Sequence, residues 1–178
     1  MIVKEFLSIY QSDGIVQSIS DKITTSKPGE SLHLKGLCGS LDTVLMSALL
    51  QEKQPFLIIC EEKEEAQYVY NDLQALVGDT SVILFPMSHK KPYEWEEVDN
   101  ANVLLRAEVL NMLSNYSGQS LAIVSYPAAM TEKVINRKSL IKNTLSIRVG
   151  DKIDRNFVAE TLNEYDFERT DFVYEAGQ

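Results

Sequence analysis

Apolar positions along this chain change their spacing twice, and each change marks a different kind of segment. Ile2, Val3, Phe6, Leu7 and Tyr10 share one face of a helix that Asp13-Gly14 interrupts. Ile15, Val16, Ile19 and Ile23 make a second stripe, ended by Ser26-Lys27-Pro28-Gly29. From residue 31 onward, short apolar runs alternate with helical stripes. Ser31–Lys35 reads as a short strand and Gly36–Ser40 as a glycine-bearing loop. Leu41, Val44, Leu45, Ala48 and Leu49 then carry the spacing of an amphipathic helix. Pro55–Cys60, Ser81–Phe85 and Leu121–Ser125 are continuous apolar runs, as expected of strands covered on both faces. Between the first two lies a helical stripe of Ala66, Val69, Tyr70, Leu73 and Leu76. Its positive end is well served by Glu61, Glu62, Glu64 and Glu65. Between the last two lie a loop over Pro86–Asp99 and a helix over about Ala101–Ser114.

Four short strands alternating with amphipathic helices predict an α/β fold, a parallel sheet with helices on both faces. After Tyr126-Pro127 the rhythm changes. A short helix over about Ala128–Val134 is followed by strand-like Thr144–Val149 and a turn at Gly150-Asp151. A helix around Asp154–Glu164, with Asp154 as its N-cap, leads to strand-like Thr170–Tyr174. This reads as a partial, small α+β domain that is cut off, since so short a unit does not bury both faces of a sheet. The expected division is residues 1–143, of which 1–30 form a helical extension, and 144–178.

Hydrophobic residues at 44% and charged residues at 24% are globular values. No apolar run approaches the length of a membrane span and no secretory leader is evident, so a cytoplasmic protein without a membrane partner is expected. Cys38 and Cys60 lack metal-type spacing and suit a reducing compartment. The net charge of −9 opposes general nucleic-acid binding, which rests on cations meeting phosphates. Charge is uneven along the chain. Lys133 to Arg155 holds seven basic and two acidic residues, whereas Asn156 to Gln178 holds six acidic residues and one arginine.

The first predicted strand–loop–helix is where a phosphate loop would sit. The pattern G-x-x-x-x-G-K-[ST] laid on Gly36 gives Gly36-Leu37-Cys38-Gly39-Ser40-Leu41-Asp42-Thr43. Gly36 and Thr43 fit. Leu41 replaces the second glycine and Asp42 replaces the lysine. A carboxylate there repels a nucleotide tail by about 1 kcal/mol at about 4 Å in bulk water, and by more when desolvated. No nucleotide, other cofactor or metal is therefore expected. The alternative is a P-loop nucleotidase or helicase lobe with a deviant loop, and Asp42 separates the two.

GLCGSLDTVL (residues 36–45) resembles the degenerate phosphate loop in the N-terminal region of bacterial transcription-repair coupling factor. That region is similar to the excision-repair helicase subunit UvrB. The later segments FPMSHKKPYEWEEVD, LLRAEVLNML, AIVSYPAAMTEKVI and SIRVGDKIDRNFVAETLNEYDFERTDFVYEAGQ keep the family's order. The resemblance implies that residues to about Asn143 are a helicase-like subdomain without ATPase capacity. It implies that the rest begins a domain docking UvrA, the damage-recognition ATPase, with Arg169 at the position of an arginine that grips UvrA. The other reading of Arg169 is a solvated side chain between Glu168 and Asp171. Further UvrA-contacting arginines of the family follow the segment that begins at Gly177-Gln178, so the resemblance implies an incomplete UvrA-docking surface in this chain. Relatives also carry RNA-polymerase-binding and DNA-translocase domains, which the resemblance makes partners within a longer protein. UvrB-like proteins clamp damaged DNA with an aromatic-rich hairpin. Here Phe85–Asp99 is short, with Tyr93 and Trp95 after the strand, and direct DNA binding is not expected.

Arg106 falls on the apolar side of its helix, between Leu110 and Leu113. A buried guanidinium requires acceptors. Glu94, Glu96, Glu97 or Asp99 of the preceding loop are the expected partners, in a structural ion pair. His33 and His89 lack companions at metal spacing and read as structural or solvent-facing.

Overall fold

The computed structural model describes residues 3–50, 55–78, 81–89, 99–145, 147–165, 167 and 172. The chain divides into two compact units, Met1–Lys133 and Val134–Gln178.

The first unit begins with helices α1 (Val3–Gln11) and α2 (Gly14–Thr25). Asp13 separates them and caps α2, its carboxylate accepting from the amides of Ile15 at 2.8 Å and Val16 at 3.3 Å. The α/β succession follows: α3 (Leu41–Leu49), β1 (Pro55–Ile59), α4 (Lys63–Val77), β2 (Val82–Leu84), α5 (Asn100–Ser114), β3 (Leu121–Ser125) and α6 (Pro127–Thr131). The strands form a parallel sheet in the order β1-β3-β2, with Pro55 opposite Leu121 and Val82 opposite Ala122.

Alternation along the strands sorts the core into two faces. Val82, Leu84, Ala122 and Val124 pack with Leu50, Ala66 and Leu73, on the side of α3 and α4. Ile83, Phe85, Leu121 and Ile123 pack with Val109 of α5. The fold is thus α/β, a parallel sheet with helices on both faces. Among the described residues β1 is covered on one face only, where its apolar run suggests two. Phe56 and Ile58 pack into the first cluster, whereas Leu57 and Ile59 are 51% and 56% exposed.

Ser31–Lys35 departs from expectation. It carries no ladder among the described residues, and every residue from 31 to 40 is exposed. Its two leucines alternate with polar side chains, so it lacks the unbroken apolar run that buries β3 on both faces. The sheet therefore shows three strands among the described residues, where the sequence suggests four.

In the second unit α7 (Arg137–Lys142) and α8 (Arg155–Glu164) are the described helices. Asp154 caps α8 as expected, accepting from the amide of Asn156 at 3.0 Å. The strand expected over Thr144–Val149 is not formed among its described residues. Gly150 makes the expected turn at φ +100°, closed by a 3.0 Å bond from the Asp151 amide to the Arg148 carbonyl. Thr170–Tyr174 lies outside the described residues except for Phe172. No described residue of this unit is buried, which explains the missing strand: a lone segment with one side to pair and nothing to cover it gains too little.

Candidate functional site

Two groups of side chains are candidates: one in the loop entering α3, with Asp42 near enough to act on Cys60 after β1, and one at the turns after β2 and β3. The first is the loop entering α3. Gly36 at φ +86° and Gly39 at φ +60° hold left-handed turns that suit a phosphate cradle, and each faces open space. The donors are differently employed. Asp42 Oδ1 accepts from the Thr43 amide at 2.7 Å and from Thr43 Oγ1 at 3.3 Å. The Leu41 amide bonds the Cys38 carbonyl at 3.3 Å and the Val44 amide bonds the Ser40 carbonyl at 3.0 Å. Thr43 is 3% exposed, with its own carbonyl held by Ser47 Oγ at 2.8 Å. Ser40 stands at the N-cap position without a side-chain capping bond.

Burial, then Glu65 and then Asp42 push the Cys60 thiol at the end of β1 above its ordinary value. Two carboxylates, Glu65 and Asp42, are thus felt at Cys60. Cys38 is exposed and Cys60 buried. Among the described residues no group of three or more His, Cys, Asp and Glu side chains can hold a metal ion.

The second group centres on Arg106, which is 6% exposed. Its Nη1 donates to the carbonyls of Pro86 at 2.7 Å and Ala129 at 3.1 Å, and Nη2 reaches the Glu132 carbonyl at 3.5 Å. Nε lies 3.5 Å from Glu132 Oε1, and the guanidinium carbon sits 4.1 Å from the Phe85 ring centroid. Glu132 also accepts from the Ser88 amide at 2.8 Å and from the Ser88 hydroxyl.

The partner differs from those expected. Asp99 instead caps α5, accepting from the Asn102 amide at 3.2 Å, while Glu94, Glu96 and Glu97 lie outside the described residues. Arg106 lies two turns into α5 and reaches the turns after β2 and β3, where carbonyls and Glu132 converge. Glu132 is 26 residues from Arg106, and no local spacing joins the two. Phe85, Ser88, Asn102 and Tyr126 were equally unreadable as parts of one network. A Tyr-Pro at the end of an apolar strand signals a helix start there, though not what its side chains meet.

Burial pulls the Arg106 guanidinium below its ordinary value, against the opposing pull of Glu132 and then Tyr126. For Glu132, burial alone would raise the carboxyl; the Ser88 bonds, then Arg106 and His89, outweigh it and hold the group below its ordinary 4.5. A depressed carboxyl stabilises the fold above its unfolded value, and that contribution is lost as pH falls through 4.5 towards the lower folded value. The Glu132→Gln variant should therefore be less stable than wild type at neutral pH, with the gap closing in acid. Urea denaturation at several pH values tests this, and a gap independent of pH contradicts it.

Arg169, Tyr93 and Trp95 lie outside the described residues. His33 is exposed and His89 half-buried. Among the described residues no helix is long and apolar enough to cross a membrane.

No family model matches the chain. Over 147 residues, 82% of its length, it is 31% identical to a transcription-repair-coupling factor of Bacillus subtilis strain 168. The chain spans 12% of that protein's length.

Proposed function

We propose, from the premise that this chain is related to a region of transcription-repair-coupling factor, that it is a noncatalytic recruitment module which brings UvrA to stalled RNA polymerase. In this reading the α/β unit is a nucleotide-free scaffold and residues 144–178 begin a docking domain. Arg169 grips a UvrA carboxylate with its planar fork. Other domains of a longer protein are the remaining partners, and the chain has no catalytic residue of its own. The cellular setting that goes with this reading is the cytoplasm.

One observation carries the noncatalytic half of the reading: Asp42 stands in the lysine's place and takes both the amide and the hydroxyl of Thr43. In a working phosphate loop the lysine neutralises the β- and γ-phosphates and the hydroxyl meets the magnesium ion. Here the helix start already holds an anion, its own side chain. The rival reading, a deviant nucleotide site, draws on the positive φ of Gly36 and Gly39, which keep a cradle-like backbone. That backbone supplies shape without a cation.

Binding to immobilised UvrA of a longer protein that carries this region and continues past Gln178, compared with its Arg169→Ala variant, tests the recruitment half. Saturable binding, weakened about tenfold or more by the substitution, is expected for a lost charge-assisted pair. Absence of binding, or equal binding by the two proteins, contradicts it.

A further inference from the structure

We propose that Ser88, Arg106 and Glu132 form a clasp that makes two distant segments open and close together: the exit of β2 and the end of the first compact unit. Residues Pro86, Met87 and Ser88 leave the sheet with five backbone polar groups that no strand satisfies. α5, α6 and their flanks take all five. The Pro86 carbonyl accepts from Arg106 at 2.7 Å, and the Met87 amide donates to Tyr126 Oη at 3.0 Å. The Met87 carbonyl accepts from Asn102 Nδ2 at 2.9 Å, and the Ser88 amide donates to Glu132 at 2.8 Å. The Ser88 carbonyl accepts from the Asp99 amide at 2.8 Å. Buried backbone groups need such partners, so this exit has one satisfied arrangement.

The same two charged side chains hold the other segment. α6 ends at Thr131, and the last carbonyls of a helix have no partner within it. Arg106 bonds those of Ala129 and Glu132, at 3.1 and 3.5 Å. Glu132 stands at the close of the unit that ends at Lys133. Its carboxylate grips Ser88 while its backbone is gripped by Arg106. Removing Arg106 strips partners from both segments at once, and removing the Glu132 charge frees Ser88 and takes from Arg106 the carboxylate beside its Nε. That shared network is a physical route for coupling. A change imposed at residues 86–88 is felt at 129–133, and the reverse holds equally. The clasp works whatever partner either segment meets.

Hydrogen exchange on the whole chain, followed by mass spectrometry, tests the clasp with two mild variants. Ser88→Ala removes one hydroxyl on the first side. It should speed exchange about tenfold in residues 129–133 as well as at Met87 and Asp99, as expected for local opening of a coupled unit. Glu132→Gln should do the same at Met87, Ser88 and Asp99. Exchange in β3 should stay unchanged in both. Effects confined to the mutated side overturn the proposal, as does equal acceleration of β3, which would mean that the unit merely unfolds.

Discussion

Replacing Arg106 with alanine should lower the unfolding free energy by about 3–5 kcal/mol, the usual cost of breaking a buried ion pair from one side. The loss has three parts. Glu132 keeps its charge in a largely enclosed place, bonded by Ser88 but without its guanidinium partner. The carbonyls of Pro86 and Ala129 lose their donor, and each buried acceptor left unpaired costs about 1–3 kcal/mol before relaxation. The Phe85 ring loses the flat cation packed 4.1 Å from its centroid. Lysine in the same place should recover only part of this, since a point charge cannot serve two carbonyls and a carboxylate in divergent directions. Urea unfolding read by circular dichroism checks both substitutions. An alanine variant within about 1 kcal/mol of wild type would mean that the guanidinium is a solvated surface group.

Leu73→Ala should cost about 2–5 kcal/mol, the range for emptying a buried leucine site. Leu73 is 0% exposed and packs in the cluster that joins α4 to the sheet. Its neighbours Val82, Ala122 and Val124 are fixed on strands and cannot close around the cavity. Leu57→Ala on β1 serves as the contrast, because half of that side chain already meets solvent. It should cost well under half as much, in keeping with burial energies that scale with area removed from water. Equal losses at the two positions would contradict the assignment of β1 as a strand covered on one face.

What the sequence disclosed follows from what periodicity measures. Unbroken apolar runs located β1, β2 and β3, but only β2 and β3 are buried on both faces as such runs suggest; β1 exposes Leu57 and Ile59. The stripe through Ala66, Val69 and Leu73 gave α4, and short-range chemistry gave the cap at Asp154. Ser31–Lys35 misled because two leucines alternating with polar residues satisfy a strand template without supplying a partner strand. Register and order were beyond reach: nothing in the runs tells that β3 lies between β1 and β2. For the loop at Gly36–Thr43 the sequence places Asp42 where the phosphate-loop pattern has lysine, and the structure adds the bonds from Thr43 to that carboxylate. The Arg106 network was legible only as a need. A buried guanidinium announces that acceptors exist, but Glu132 and Ser88 are brought to it by the ends of two strands.

The recruitment reading depends on whether the loop before α3 still accepts a triphosphate. In that reading Asp42 stands where the phosphate-loop pattern has a cation; its carboxylate takes donors of Thr43, and Glu65 adds its charge beside Cys60. Titrating the chain with a fluorescent ATP analogue in excess magnesium measures this directly. The account predicts a linear, non-saturating signal into the millimolar range, whereas saturation with micromolar affinity, about −8 kcal/mol of binding, would contradict it.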